Sequence, residues 1–225
     1  MATRRVSPYI SAMSMTEPVA GILLAGGRSS RMGGGDKCLR MLGGRTILAR
    51  IIERLEPQVA ALVVSANGDP ARFAPFGLAV VADRVPGFAG PLAGIHAGLK
   101  WVEANHPGIR YAVTVATDTP FFPSDLVQRF GVALKRAPSL LVARSGEGVH
   151  PVIGLWPVSL ADALEASLRG GMRKTGAWAE QHGAIEVTFP DVTVGERRID
   201  PFFNINDADQ LAEGDALLKA AARAR

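Results

Sequence analysis

The chain has 225 residues, 48% of them hydrophobic and 20% charged, with one cysteine and no Cys/His cluster at metal-ligand spacing; one large core is expected, and a disulfide scaffold and a zinc site are excluded. The net charge of +4 comes from 20 Arg and 5 Lys scattered against 21 acids, with only 6% aromatics, which speaks for an anionic ligand and against a nucleic-acid stripe. Apolar runs are strand-sized, far short of the roughly 20 residues of a membrane span, and no apolar stretch follows Arg4 and Arg5 as a secretory signal requires, so a cytoplasmic protein is expected.

Residues 1–17 are expected to form a flexible N-terminal tail and residues 18–225 one domain. The run PVAGILLA, residues 18–25, is continuously apolar and ends in Gly26-Gly27, the pattern of a strand buried on both faces. Residues 46–55 place Ile47, Leu48, Ile51, Ile52 and Leu55 on one helical stripe. Strands at 59–65 and 78–82, a helix at 92–104 and a strand at 111–116 follow. Ser124 is a good N-cap for a helix reaching 136. Strands at 140–143 and 149–155, helices at 158–168 and 175–181, a strand at 185–189 and a helix at 207–222 complete the pattern. Strand and helix alternating at this spacing predict an α/β protein with a mostly parallel sheet flanked by helices. Ligands of such sheets sit beyond the carboxyl ends of the strands, so chemistry is sought in the loops there.

The first such loop runs Leu24-Ala25-Gly26-Gly27-Arg28-Ser29-Ser30-Arg31-Met32-Gly33-Gly34-Gly35-Asp36-Lys37. Five glycines, two arginines and a lysine directly after a buried strand supply open backbone N–H groups and positive charge where a phosphate could sit. Neither familiar phosphate loop fits: Lys37 follows Asp36 and precedes Cys38, and no G-x-G-x-x-G register exists. Cys38 has no base placed for it and reads as a small core or helix residue.

The motif L-A-G-G-x-x-x-R-M-G-x-x-D-K resembles that of the molybdenum cofactor guanylyltransferases, the MobA family of the nucleotidyltransferase superfamily. Asp83 with Gly90-Pro91-Leu92-Ala93-Gly94, the segment Ala116-Thr117-Asp118-Thr119-Pro120, His150-Pro151 and Phe203-Asn204-Ile205-Asn206 continue the likeness over roughly residues 18–215. The resemblance implies a three-layer αβα Rossmann-like nucleotidyltransferase fold. It also implies transfer of GMP from GTP to the terminal phosphate of molybdopterin carrying molybdenum, giving the guanine dinucleotide cofactor and pyrophosphate. A phosphate nucleophile is already anionic, so charge is the obstacle, and positioning, a metal ion and cationic side chains should carry the catalysis.

On the same likeness, Arg31, Lys37 and Asp118 are the catalytic candidates. Mg2+ is the expected cofactor, held by Asp118 with Asn206 or Asn204 as the neutral oxygen; a hard carboxylate at a strand end suits that ion. Leu24, Ala25, Gly26, Gly27, Lys37, Ser65, Asn67, Asp83, Gly90, Gly94 and Asp118 are expected at the nucleotide, with the Asp83 carboxylate reading the N1–H and N2–H donors of guanine. Ser65 stands where the family often carries Asn, leaving Asn67 as the amide of that strand end. Arg173, Lys174 and Asn204 are expected at the pterin phosphate. The family further implies transient contacts with cofactor-assembly proteins and apo-molybdoenzymes, and a monomer or weak oligomer. The alternatives are cytidylyl transfer to the same pterin, nucleotide transfer to a sugar phosphate, and a catalytically silent nucleotide-binding adaptor.

Overall fold

The structure, a computed structural model, describes residues 17–26, 36–85, 90–137 and 139–223. Its centre is a seven-stranded sheet of β1 (Val19–Leu24), β4 (Ala61–Ser65), β5 (Ala79–Val81), β6 (Tyr111–Ala116), β7 (Leu141–Ser145), β8 (Gly148–Pro157) and β9 (Ile185–Thr188), in the order β5-β4-β1-β6-β8-β7-β9. Pairings β5-β4, β4-β1, β1-β6 and β7-β9 are parallel, as the alternating pattern predicts. The exception is β8, antiparallel to both β6 and β7. Its reversal follows from chain length, since the two residues between β7 and β8 close a hairpin but cannot make a parallel crossover.

Helices α1 (Ile47–Leu55) and α3 (Leu126–Arg136) lie on one face, and α2 (Pro91–Asn105), α4 (Ala161–Arg169) and α5 (Thr175–Gln181) on the other. Alternate residues of β1 divide accordingly: Val19 and Leu23 pack with Ile47, Ile51 and Leu55, whereas Ala20 and Ile22 pack with Leu92, Ile95 and Leu99. The three-layer αβα architecture is therefore present. Thr46 caps α1 by accepting from Ala49 N at 3.1 Å. A Cβ on Gly98 would stand 2.5 Å from Ile22 Cγ2, so the absence of a side chain there lets α2 lie close on β1.

Some boundaries differ from the sequence reading. Helix α3 starts at Leu126 with Asp125, not Ser124, at the cap position, and a 3-10 turn at Val158–Leu160 precedes α4. Two small ribbons stand beside the main sheet, β2 (Met41–Leu42) with β3 (Arg45–Thr46), and β10 (Val192–Val194) with β11 (Arg197–Ile199). The first turns through Gly43 and Gly44 at φ +54° and +80°, which alternation alone does not reveal. The last helix, α6, spans Ala208–Arg223. Among the described residues no helix is long and apolar enough to cross a membrane.

Candidate active site

The carboxyl ends of β1, β4, β5 and β6 form one edge, and the loops leaving them are bonded to each other. Ala25 N donates to Ser65 O at 2.9 Å, Ala66 N to Val81 O at 2.9 Å, and the Thr117 hydroxyl to Leu24 O at 3.0 Å. Buried polar backbone at strand ends needs such partners, and the pairing brings distant parts of the chain to one place. Leu24, Ala25 and Gly26 stand at this edge; Gly26 is exposed, with open space where a Cβ would be. Gly27 and Arg31 lie outside the described residues.

At the head of β6 sits the central cluster. Lys37, in the 3-10 turn Lys37–Leu39, donates from Nζ to Asp118 Oδ2 at 3.0 Å and to Asn206 Oδ1 at 2.7 Å. The lysine and aspartate side chains are 15% and 26% exposed, sheltered yet reachable. Asp118 is set by its backbone, since its carbonyl accepts from Ile205 N at 2.8 Å, and by Thr119, whose hydroxyl donates to Ala116 O at 2.8 Å. The first of these bonds carries the segment of Asn204 and Asn206 across to β6. Asp207 takes the capping task at the start of α6, accepting from Gln210 N at 2.8 Å, which leaves the Asn206 carboxamide to the lysine. Asn204 is exposed beside it. Three residues separated by up to 169 positions thus place two oxygens on one cationic nitrogen.

A second cluster closes the ends of β4 and β5. Asn67 Nδ2 donates to Asp83 Oδ2 at 2.8 Å, and Asp83 N donates to Asn67 Oδ1 at 2.9 Å. Burial pushes the Asp83 carboxyl upward, opposed by the Asn67 hydrogen bond and by the nearby His96. Ser65 itself is only 3% exposed, and its hydroxyl lies 2.8 Å from where a Cβ of Gly94 would stand, so this pair serves the seating of α2 on β4. Gly90 opens α2 at φ +155°, exposed and unobstructed.

The pterin-side candidates lie further along the edge. Pro151 lies in β8, where the strand is irregular between His150 and Gly154, and Gly176, in the first turn of α5, packs over that proline at 3.6 Å from a would-be Cβ. Arg173 and Lys174 enter α5 there, both exposed, with Lys174 at the cap position. Ser145 and His150 meet at 2.7 Å between Oγ and Nε2, and the His150 ring lies 4.7 Å from that of Phe202. Cys38 is buried and its thiol is pushed up to about 11, mainly by desolvation, so it stays protonated.

Sequence reasoning missed Arg72, which pairs with Asp36 at 2.5 Å, and His96, wholly buried on α2 with Nε2 3.5 Å from Glu165. Neither belongs to a motif, and no local pattern announces either contact. Among the described residues no group of three or more His, Cys, Asp or Glu gathers as a metal cluster.

A Gly-rich loop after β1, a lysine at its end, and an aspartate just past the central β6 define a nucleotidyltransferase domain. The model of the MobA-like NTP transferase domain matches residues 21–184. A molybdenum cofactor guanylyltransferase of Bradyrhizobium sp. (strain ORS 278) is 50% identical over 206 residues, covering 91% of this chain and 95% of that protein. One from Nitrobacter hamburgensis is 49% identical, covering 89% and 94%. The chain belongs to this family, the MobA-like molybdenum cofactor guanylyltransferases. The crystal structure of molybdopterin-guanine dinucleotide biosynthesis protein A from Archaeoglobus fulgidus shares the fold, with a TM-score of 0.67 at 22% identity over 89% of this chain and 99% of that one.

Proposed function

We propose that this chain joins GMP from GTP to the terminal phosphate of molybdopterin carrying molybdenum, releasing pyrophosphate. An acceptor phosphate oxygen forms the new bond to the α-phosphorus as the bond from that phosphorus to the bridging oxygen of pyrophosphate breaks. The acceptor is already an anion, so no side chain has to remove its proton. The protein's task is to bring two anions together.

The observation that carries this reading is the convergence of Asp118 Oδ2 and Asn206 Oδ1 on the Lys37 ammonium, at 3.0 and 2.7 Å. Two oxygens already aimed at one positive centre, one hard carboxylate and one neutral amide, suit Mg2+, which takes few protein ligands and fills its shell with water and phosphate. When bound, the ion lowers the negative charge of the triphosphate. Lys37 supplies a compact charge to phosphate oxygens beside that position, and Arg31, where it reaches the site, a bidentate one. Leu24, Ala25, Gly26, Gly27 and the open start of α2 at Gly90 offer backbone groups to the nucleotide.

Asp83 reads guanine by accepting from N1–H and N2–H, while Asn67 holds that aspartate through its carboxylate and its backbone N–H. Arg173, Lys174 and Asn204 face the acceptor phosphate. The work takes place in the cytoplasm, on a monomer or weak oligomer that meets cofactor-assembly proteins and apo-molybdoenzymes transiently. Replacing Asp118 with Asn keeps the shape and removes the charge; guanylyl transfer should fall by about 100-fold or more with the melting temperature little changed. Unchanged transfer by a folded D118N protein would overturn the role given to Asp118, and binding of GTP without any transfer by the native chain would identify an adaptor instead.

A further inference from the structure

Arg72 comes from a rigid base. Its 3-10 helix, Pro70–Phe76, is capped by Asp69, which accepts from Ala71 N at 2.9 Å; it is anchored by the fully buried Phe73 and closed by Gly77 at φ +65°. The guanidinium lies over the Phe73 ring, 4.6 Å from its centroid, and the side chain is 25% exposed. From there it reaches three groups. Nη2 donates to Asn67 O, Nη1 donates to Asp69 O, and Nε lies 2.5 Å from Asp36 Oδ2 in an ion pair. Gly68, at φ +86°, both makes the turn and leaves room, for a Cβ there would stand 3.1 Å from Nη1.

The partners at the two ends belong to different halves of the site. Asn67 grips the Asp83 carboxylate and its backbone N–H. Asp36 immediately precedes Lys37, whose ammonium is held by Asp118 and Asn206. One continuous line of contacts therefore runs from Asp83 through Asn67, Arg72 and Asp36 to Lys37. We infer that Arg72 is a positioning residue that ties the base-reading loop to the phosphate-holding turn and so fixes the separation of the two. This rests on the functional reading above, since it assigns Asp83 to the base and Lys37 to the phosphates.

Arginine suits the task because its planar fork presents five donors in fixed directions, so Nη1 and Nη2 hold two carbonyls by hydrogen bonds while the charge lies against the Asp36 carboxylate. A lysine at the same place keeps the charge on Asp36 but not the fork. Fixing the two halves before the nucleotide arrives removes an ordering cost from binding. The benefit falls on a ligand that spans both halves, so it should appear in the affinity for GTP and in the choice of base more than in the chemical step.

The test compares the native chain with Arg72→Ala, Arg72→Met, Arg72→Lys and Asp36→Asn, measuring kcat and KM for GTP and for ITP, which lacks the N2 amino group, together with Tm. Loss of charge-assisted hydrogen bonds predicts that R72A and R72M raise the KM for GTP about tenfold, with kcat changed far less and the preference for GTP over ITP reduced. R72K should recover part of both, and D36N should reproduce part of the loss. A native preference for GTP over ITP that survives in R72A at unchanged KM overturns this inference alone. Equal losses for GTP and ITP that R72M reverses by restoring the stem over Phe73 also overturn it, because they mark a packing role. Absence of any such preference in the native chain overturns both the reading of Asp83 and the inference built on it.

Discussion

The two halves of the sheet edge are built differently. On the side of β5, β4, β1 and β6, all strands run the same way, and their carboxyl ends are joined by backbone and side-chain hydrogen bonds into one frame. Lys37 and Asp83 are each held by side-chain partners in that frame. On the side of β8, β7 and β9, the reversed β8 brings the beginning of a strand to the same edge, and the cationic candidates Arg173 and Lys174 are exposed side chains at the mouth of a seven-residue helix. The first half holds its candidate groups through side-chain partners; the second presents exposed charge, with Arg173 Nη1 donating to the backbone carbonyl of Met172 at 3.0 Å. A nucleotide that must be chosen by its base needs fixed acceptors, whereas a phosphate on a large partner needs only positive charge within reach.

The largest blow to the organised half is Lys37→Ala. It removes the charge on which Asp118 and Asn206 converge, and transfer should drop about 100-fold while the fold survives, measured as pyrophosphate release alongside Tm. A drop no greater than that of an exposed lysine such as Lys219 would deny the cluster its place at the reaction. A smaller effect is expected from Arg173→Ala combined with Lys174→Ala. Those changes should raise the KM for molybdopterin about tenfold and leave that for GTP within about twofold. Equal changes in both constants would erase the division between the halves.

The smallest effect concerns pH. His96 on α2 and His150 on β8 both have pKa values lowered chiefly by burial, against nearby carboxylates that raise them. The folded chain then binds fewer protons than the unfolded chain as pH falls through the ordinary histidine value, about 6.5, so stability declines in that window and is retained above it. Urea melts from pH 7.5 down to 5.5 check this. His96→Gln and His150→Gln should each flatten the decline, and a decline unchanged in both would place its origin elsewhere.

Much of this was legible in the sequence, and the exceptions share a cause. The run at residues 18–25 announced β1 because burial on both faces leaves no alternation, and Lys37, expected at the end of the Gly-rich loop, stands beside Asp118 and Asn206. Asp118 stood out by its position after an apolar strand. Asn67 was expected at the nucleotide, and spacing did not show that its amide bonds Asp83 through both its oxygen and its nitrogen. Ser65, the last residue of β4, faces α2 because it shares the strand face of Val63, two residues before it. The Arg72 to Asp36 pair spans 36 positions and depends on where two turns meet, which neither spacing nor composition encodes.

The central claim is that the frame of Lys37, Asp118 and Asp83 is a guanylyl-transfer site, and nucleotide preference in the full reaction tests it most directly. With Mg2+ and molybdopterin carrying molybdenum, pyrophosphate release should proceed with GTP, stay near background with CTP or UTP, and lose its preference for GTP in Asp83→Asn. Release from CTP at the same rate as from GTP, or an undiminished preference in the folded D83N protein, would contradict the account.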